Sequence, residues 1–308
     1  MYRHPSVNQL NLLLSLSDAL DLASPELSQH QLRTAFIVWE MGQAAGLPVS
    51  GIEQLFTAAL FHDVGALSPD EKINLHTAGV MNPGLHCILG EILLGQFSMF
   101  RSASRIVRFH HTDWQHWDQP IDNPVAFQSQ TLMAADLLER SINRRQFILH
   151  QDRDLISRIS SLSGQVIHPR VVEIFQSVSA REDFWLDLVS PRLYSILLHH
   201  GPCRAVEIDQ LHLLEISELF RNLIDFRSRF TATHSSGVAG NLHDLGKMAV
   251  PNKILEKPDK LTPEEFAVMR QHTYFTYSVL NTIGGVQQIA EWAAFHMRDW
   301  TDQAIHSI

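Results

Sequence analysis

Cysteine is nearly absent. Cys87 and Cys203 are the only two in 308 residues, too few for a disulfide framework, and the expected setting is the cytoplasm. No apolar run approaches the ~18 residues a membrane span requires, and Met1–Leu10 lacks the shape of a signal peptide. Positive charge is also scarce: 24 Lys and Arg against 33 Asp and Glu leave a net charge of −9. That excludes a general binder of DNA or RNA polymers, because nothing here neutralises a phosphate backbone. Strand-like alternation is rare and no low-complexity linker occurs. With 45% apolar and 19% charged residues the composition is that of a globular protein, and the expected class is all-α.

Histidine is the residue in excess, with 18 copies, many of them clustered. Apolar residues recur at i, i+3, i+4 and i+7 over Gln9–Leu22, Gln29–Ala45, Ile52–Phe61, Leu85–Phe97 and Gln130–Asn143, and each stretch predicts a helix. The stretch Thr262-Pro-Glu-Glu265 predicts a helix start: Thr262 caps, Pro263 suits the first position and Glu265 completes a capping box. Phe266, Met269, Thr273, Thr276 and Leu280 then trace one face, with His272 beside it. Length favours two domains. The expected boundary falls near His200-Gly201-Pro202, giving domains 1–200 and 201–308 joined by a helix over Val206–Phe226.

The histidines repeat as a set. Asp21, His30, His62-Asp63, His86 and His110-His111 in the first part correspond to Asp225, His234, His243-Asp244, His272 and His296 in the second. Asp-to-His spacing is nine residues in both copies, and the last His-to-His spacing is 24 in both. Phe61-His-Asp-Val-Gly65 echoes Leu242-His-Asp-Leu-Gly246. The chain reads as a tandem duplication of one helical unit.

One interval does not repeat. His30 to His62 spans 32 residues, enough for a helix, the turn Gly46–Pro48 and a second helix, whereas His234 to His243 spans nine. Nine helical residues cover only about 13 Å. The comparison predicts about 23 residues missing between Gly240 and Asn241. A second gap is expected after His296, where Met297 stands in place of a second histidine. The expectation is that both gaps belong to an incomplete record of the chain, because a real deletion would disrupt the fold.

Chemically, neutral imidazoles and carboxylates suit divalent iron, manganese, zinc or nickel better than magnesium, which prefers oxygen shells. Adjacent His243 and Asp244 can both address a metal cluster, the carboxylate bridging two ions. Such a pair of ions can activate water and stabilise the oxygens of an in-line attack on phosphorus. Lys247, one turn beyond His243, can place a cation on the phosphate or the leaving oxygen. Isolated histidines such as His150 and His212 read as surface or core residues. Lys253, Lys257 and Lys260 read as a solvated loop that can also steer an anion. His116 and Trp117 read as packing residues that could also line a nucleobase pocket.

The second copy resembles the HD-GYP subgroup of the HD-domain metal phosphohydrolases. The resemblance rests on Asp225–His234, His243-Asp-Leu-Gly-Lys247, the segment Val250–Glu265, Met269–His272 and Ala294-Phe-His296, about 85 residues in all. A weaker match covers residues 20–140. The resemblance implies two tandem HD-type helical bundles. It also implies a cyclic-dinucleotide phosphodiesterase acting on cyclic di-GMP or 3′,3′-cyclic GMP-AMP, the tandem arrangement being similar to enzymes for the hybrid nucleotide. The implied site is two divalent ions, iron or manganese before zinc or nickel, on His234, His243, Asp244, His272 and His296. Asp244 and Lys247 are the expected catalytic groups. In the first copy the corresponding types are His30, His62, Asp63, His86, His110, His111 and Asp136, but Ala66 replaces the lysine, so that copy is expected to be structural or regulatory. The family's Gly-Tyr-Pro loop is missing from both copies, and Phe230 stands where a third-metal glutamate would be. The competing reading is a catalytically decayed sensor of cyclic dinucleotides. A mononucleotide phosphohydrolase is a third, disfavoured by the Lys253–Glu265 segment. A homodimer is left open.

Overall fold

The computed structural model describes residues 7–22, 27–66, 71, 84–203, 206–227, 238–287 and 289–291. Among the described residues the chain is helical, with two isolated β-bridges (Asn8 with Glu207, Ser163 with Ile167) and no strand. The chain forms two compact units. The first comprises Gln29–Gly65 and Val80–Arg204, the second Met1–Ser28, Ala66–Gly79 and Ala205–Ile308. This differs from a simple split at residue 200, because the N-terminal helix α1 (Gln9–Leu20) packs with C-terminal elements. Its Ser15 and Asn11 side chains bond Thr282, and Gln9 N–H bonds the carbonyl of Val206.

In the first unit, α2 (His30–Ala44), α3 (Val49–Leu60), α4 (Gly84–Gly95), α5 (Arg101–Phe109) and α6 (Pro124–Ser141) form the bundle around the histidines. The shorter α7 (Asp152–Ser160), α8 (Pro169–Ser179), α9 (Glu182–Leu188) and α10 (Leu193–His200) follow. Phe36, Phe56, Phe61, Phe100, Phe175, Phe184 and Trp185 are fully buried and supply much of its core. Phe36 stacks on Phe184 at 5.9 Å, which ties α9 to α2. Helix α6 starts six residues before the periodicity predicted, because Asn123 accepts from the N–H groups of Val125 and Ala126 with Pro124 at the first position.

In the second unit, α11 (Gln210–Arg227) and α12 (Val238–Leu242) precede a 3₁₀ turn over Leu245–Ala249, then come α13 (Asn252–Leu255) and α14 (Pro263–Asn281). The predicted capping box is present: Thr262 accepts from Glu265 N–H, and Glu265 accepts from Thr262 N–H. The buried stripe of α14 is His272, Thr276, Val279 and Leu280. His272 therefore lies in the buried face and not beside it, since the site it serves is part of the core. The backbone runs continuously through Gly240 and Asn241 inside α12. Residues 228–237, which precede this helix and contain His234, lie outside the described residues. The expected gap after His296 lies outside the described residues.

Two glycines explain how the repeated His-Asp-X-Gly motif meets the next ligand helix. A Cβ on Gly65 would lie 2.0 Å from the carbonyl oxygen of His86 and 2.6 Å from the nitrogen of Gly90. A Cβ on Gly246 would lie 1.9 Å from the carbonyl oxygen of His272 and 2.8 Å from the nitrogen of Thr276. The duplicated sequence is thus a duplicated backbone crossing. Because the obstacle is backbone and cannot swing aside, Gly65→Ala or Gly246→Ala should destabilise its own unit by about 1–3 kcal/mol or more. Denaturant unfolding checks this; an unchanged midpoint for both variants would contradict the crossing.

Candidate metal centres

Six of the seven ligand-type residues predicted in the first copy are buried together: His30, His62, Asp63, His86, His110 and Asp136. His111 lies at their edge, its Nε2 4.0 Å from Asp136. His30 is the first residue of α2, and Gln29 before it adopts the left-handed conformation (φ 60°) that turns the chain into the helix. His62 and Asp63 follow the end of α3, His86 sits on α4, His110 and His111 end α5, and Asp136 lies within α6.

The hydrogen bonds fix which ring nitrogen is available. Nδ1 of His62 donates to the carbonyl of Ala59 at 2.8 Å, and Nδ1 of His110 to that of Val107 at 2.7 Å. Nδ1 of His30 meets the Glu139 carboxylate at 2.5 Å. In each ring Nε2 is left to face the centre. Nε2 of His30 and of His62 are only 3.1 Å apart, and His30 Nε2 is 3.5 Å from both Asp63 and Asp136. Asp63 spans two groups of donors: Oδ2 faces His30 and His62, while Oδ1 lies 3.6 Å from His86 Nε2. His86 and His110 approach Nε2 to Nε2 at 3.4 Å.

Lone pairs aimed at one another across 3.1 Å require a positive centre between them. A divalent transition metal fits this nitrogen and oxygen donor set. Without one, a proton on His30 serves. Burial opposes that charge, but Glu139, Asp63 and Asp136 outweigh it and raise the imidazole to about 10. Burial lowers His86, His110 and His111, the last to about 4, which keeps those rings neutral and able to ligate. Burial would raise Asp136, but Arg140, 3.0 Å away, helps hold it well below the usual carboxylate range.

Sequence reasoning missed Glu139 and Cys87. Glu139 is buried, bonds His30, and is gripped by Arg33 at 2.7 Å and Arg144 at 2.8 Å. Its signal was available, since it lies three residues after Asp136 and so shares its helix face. Cys87 Sγ lies 3.6 Å from both His86 Nε2 and His110 Nδ1. Burial pushes its thiol up to about 12, and the adjacent Nδ1 is already committed to Val107, so Cys87 packs behind the ring as a neutral thiol.

In the second unit the structure brings together His243, Asp244, Lys247 and His272. His234 and His296 lie outside the described residues. The tautomer device recurs: Nδ1 of His243 donates to Gly240 and Nδ1 of His272 to Met269, each at 2.5 Å to the carbonyl three residues back. Thr276 accepts from Gly246 N–H and donates to the His243 carbonyl, binding the motif to α14. His243 Nε2 is 3.1 Å from Asp244 Oδ2, and Lys247 Nζ is 2.8 Å from the same oxygen. Lys247 therefore rests on the carboxylate. Burial would raise Asp244, but His243 and Lys247 hold it at about 2. On the other side, Asp244 Oδ1 and His272 Nε2 lie 3.8 Å apart, both buried and both without a hydrogen bond among the described residues. Two orphaned donor atoms at that spacing fit a divalent cation. Of the loop lysines, Lys257 is paired with Glu265.

This is the architecture of a tandem HD-domain protein: one family model described as HD domain matches residues 27–141 and a second, also an HD domain, matches 213–304, so the chain belongs to the HD-domain family in both halves. It is similar over most of its length to 3′3′-cGAMP-specific phosphodiesterase 1 of Vibrio cholerae, with 23% identity over 324 positions, covering 94% of this chain and 75% of the relative. Those positions outnumber the residues of this chain, so the relative carries segments lacking here. The 3′3′-cGAMP-specific phosphodiesterase 3 of the same organism is 21% identical, covering 92% of this chain and 78% of its own. A cyclic di-GMP phosphodiesterase of Thermotoga maritima is 32% identical over 113 residues, 29% of this chain and 31% of that protein. The crystal structure of a cyclic GMP-AMP specific phosphodiesterase of V. cholerae (V-cGAP3) shares the fold, with a TM-score of 0.66 at 20% identity over 90% of this chain and 80% of that one.

The carboxylate behind His30 gives a direct test. Glu139→Gln keeps the shape but removes the charge that holds His30 in its ligating tautomer. It should weaken metal binding by the first unit about 10- to 100-fold, read by competition with a chelating dye. Parent-like affinity would show that Glu139 is only structural.

Proposed function

We propose that this chain is a metal-dependent phosphodiesterase that opens a cyclic dinucleotide, 3′,3′-cyclic GMP-AMP or cyclic di-GMP, to the linear dinucleotide. The observation that carries the reading is a convergent histidine–carboxylate cluster in a chain similar along both halves to cGAMP-specific phosphodiesterases. No described helix is long and apolar enough to cross a membrane, which accords with a cytoplasmic substrate.

The reaction is assigned to the second unit. His243, Asp244 and His272 would hold metal there together with His234 and His296, with iron or manganese preferred to zinc or nickel. Divalent ions supply Lewis-acid activation of water and neutralisation of phosphoryl charge. Asp244 is the pivot, because its two oxygens face His243 and His272 separately. Lys247 holds a fixed cation against Asp244 Oδ2, where it orients the carboxylate and can meet negative charge developing on the departing oxygen. Water adds to phosphorus, the bond to the sugar oxygen breaks, and that oxygen leaves with a proton.

The first copy of the repeat retains its ligand types but has buried Ala66 at the position of the lysine, and is assigned a metal-holding, regulatory role. The second reading, a sensor without turnover, draws on the short interval of nine residues from His234 to His243.

Asp244→Ala should abolish hydrolysis and reduce bound metal. Lys247→Ala should keep the metal and lower kcat about 10²- to 10³-fold. Asp63→Ala should change the rate without eliminating it. Product chromatography and metal analysis of the purified variants decide this. A fully active Asp244→Ala protein contradicts the assignment, and a metal-loaded parent that turns over no cyclic dinucleotide favours the sensor.

A further inference from the structure

The first unit contains a cavity of about 370 Å³ that neither metal centre uses. It is built from the C-terminal part of α5, the irregular segment after His110-His111 and the start of α6. Its wall is an aromatic corner: the rings of Phe109 and Trp117 lie 5.3 Å apart, inclined at 52°. Arg105 stands over Phe109 at 5.4 Å and lines the same cavity. Asp118 and Gln119 are exposed at its rim. Thr112, also a lining residue, directly follows His111, so the cavity adjoins the first centre.

Although irregular, this segment is held in place. Trp117 Nε1 and Gln130 Nε2 both donate to the Thr112 carbonyl, at 3.0 and 2.8 Å. Trp114 N–H and Gln115 N–H bond the carbonyls of Val166 and Gln165, each at 2.9 Å. Trp114 further packs edge-on against His168 at 4.4 Å. A site pinned at these points loses little freedom when it binds.

We infer that this cavity is a guanine-nucleotide subsite, with Phe109 and Trp117 packing the base, Asp118 reading its edge and Arg105 meeting its phosphate. The volume is in the range of small-molecule sites, and an indole is a stacking platform for any base. The rim selects among bases. A carboxylate only accepts hydrogen bonds, and guanine offers it two adjacent donors, the ring N1–H and the exocyclic amino group. Adenine presents a ring-nitrogen acceptor at that edge, which a carboxylate repels. No hydrogen bond to protein is made by the Asp118 or Gln119 side chain among the described residues. In a protein of net charge −9, Arg101, Arg105 and Arg108 form a basic stripe on one side of α5. Arg105 and Arg108 share the single carboxylate of Glu91 at 3.2 Å each, so the stripe keeps a net positive charge, a local attractor for an anion. The ligand class rests on the cyclic-dinucleotide reading; the location does not.

The test is calorimetric titration of the full chain with 5′-GMP, 5′-AMP and guanosine. GMP should bind at least about tenfold more tightly than AMP. Trp117→Ala should weaken GMP roughly 10- to 100-fold, and Trp117→Phe should recover most of that loss. Asp118→Asn, at an exposed position, should abolish the preference for GMP while leaving AMP unchanged. Arg105→Ala should weaken GMP but not guanosine. Equal binding of GMP and AMP, or parent-like GMP affinity in both Trp117→Ala and Asp118→Asn, overturns the subsite. If Trp117→Ala fails to fold, Asp118→Asn decides alone. Hydrolysis of 3′,3′-cyclic GMP-AMP measured in parallel separates the two readings. GMP selectivity that depends on Asp118, without turnover, leaves the subsite standing and removes the enzyme. Turnover with base-indifferent binding does the reverse.

Discussion

Each of four histidines, His62, His110, His243 and His272, donates its Nδ1 proton to the backbone carbonyl three residues earlier, and both centres depend on that bond. It fixes ring orientation and tautomer together, using a helical carbonyl that for His62, His110 and His243 lies in the last turn of its helix and for His272 lies within α14. With Nδ1 committed, Nε2 has nowhere to go but inward. The carboxylates then find imidazole lone pairs facing them, which is why Asp63 and Asp244 can each address two donor groups. His30 stands at the first position of its helix, with no helical carbonyl behind it, and Glu139 takes over that task.

The second constraint is closeness. Gly65 and Gly246 let the turn after each His-Asp pair touch the backbone of the helix carrying the next histidine. Thr276, bonded to both Gly246 and His243, fastens that crossing in the second unit. The two copies therefore share packing as well as ligand types, and this explains why the five-residue motif recurs while its surroundings have diverged. They part at the next residue. Buried Ala66 offers only a methyl group at the matching position of the motif, whereas Lys247 places an ammonium on Asp244. A fixed cation there favours transition-state charge. Without it the imidazole–carboxylate cluster keeps donor types suited to a cation, which accords with the regulatory role proposed for that copy.

Much of this was legible in the sequence. The 3.6-residue apolar period placed α1 to α4 within a few residues, and Thr262, Pro263 and Glu265 marked the start of α14. The equal spacings from His86 to His110 and from His272 to His296 announced the duplication. The helices from Asp152 to His200 were not anticipated individually, because they are seven to eleven residues long and their apolar faces are short. Phe184 joins the core through its contact with Phe36 of distant α2, and Trp185 packs beside it. Glu139 was hidden for a related reason: a glutamate followed by an arginine near the end of a helix reads as a solvated face until Arg33, Arg144 and His30 are brought around it. Asn123 and Pro124 carried the start signal for α6, and reading them would have corrected its boundary. Nothing local in the sequence indicated that α1 packs with the C-terminal half, since that depends on tertiary contacts such as Ser15 with Thr282.

The central claim is that the converging Nε2 atoms and carboxylates are metal ligands and not a proton-sharing polar core. Anomalous X-ray scattering from crystals of the full chain grown with manganese tests this most directly. The account predicts anomalous peaks among His30, His62, Asp63 and Asp136 and between Asp244 and His272. Crystals that show both clusters ordered, with no anomalous density at either, would contradict it.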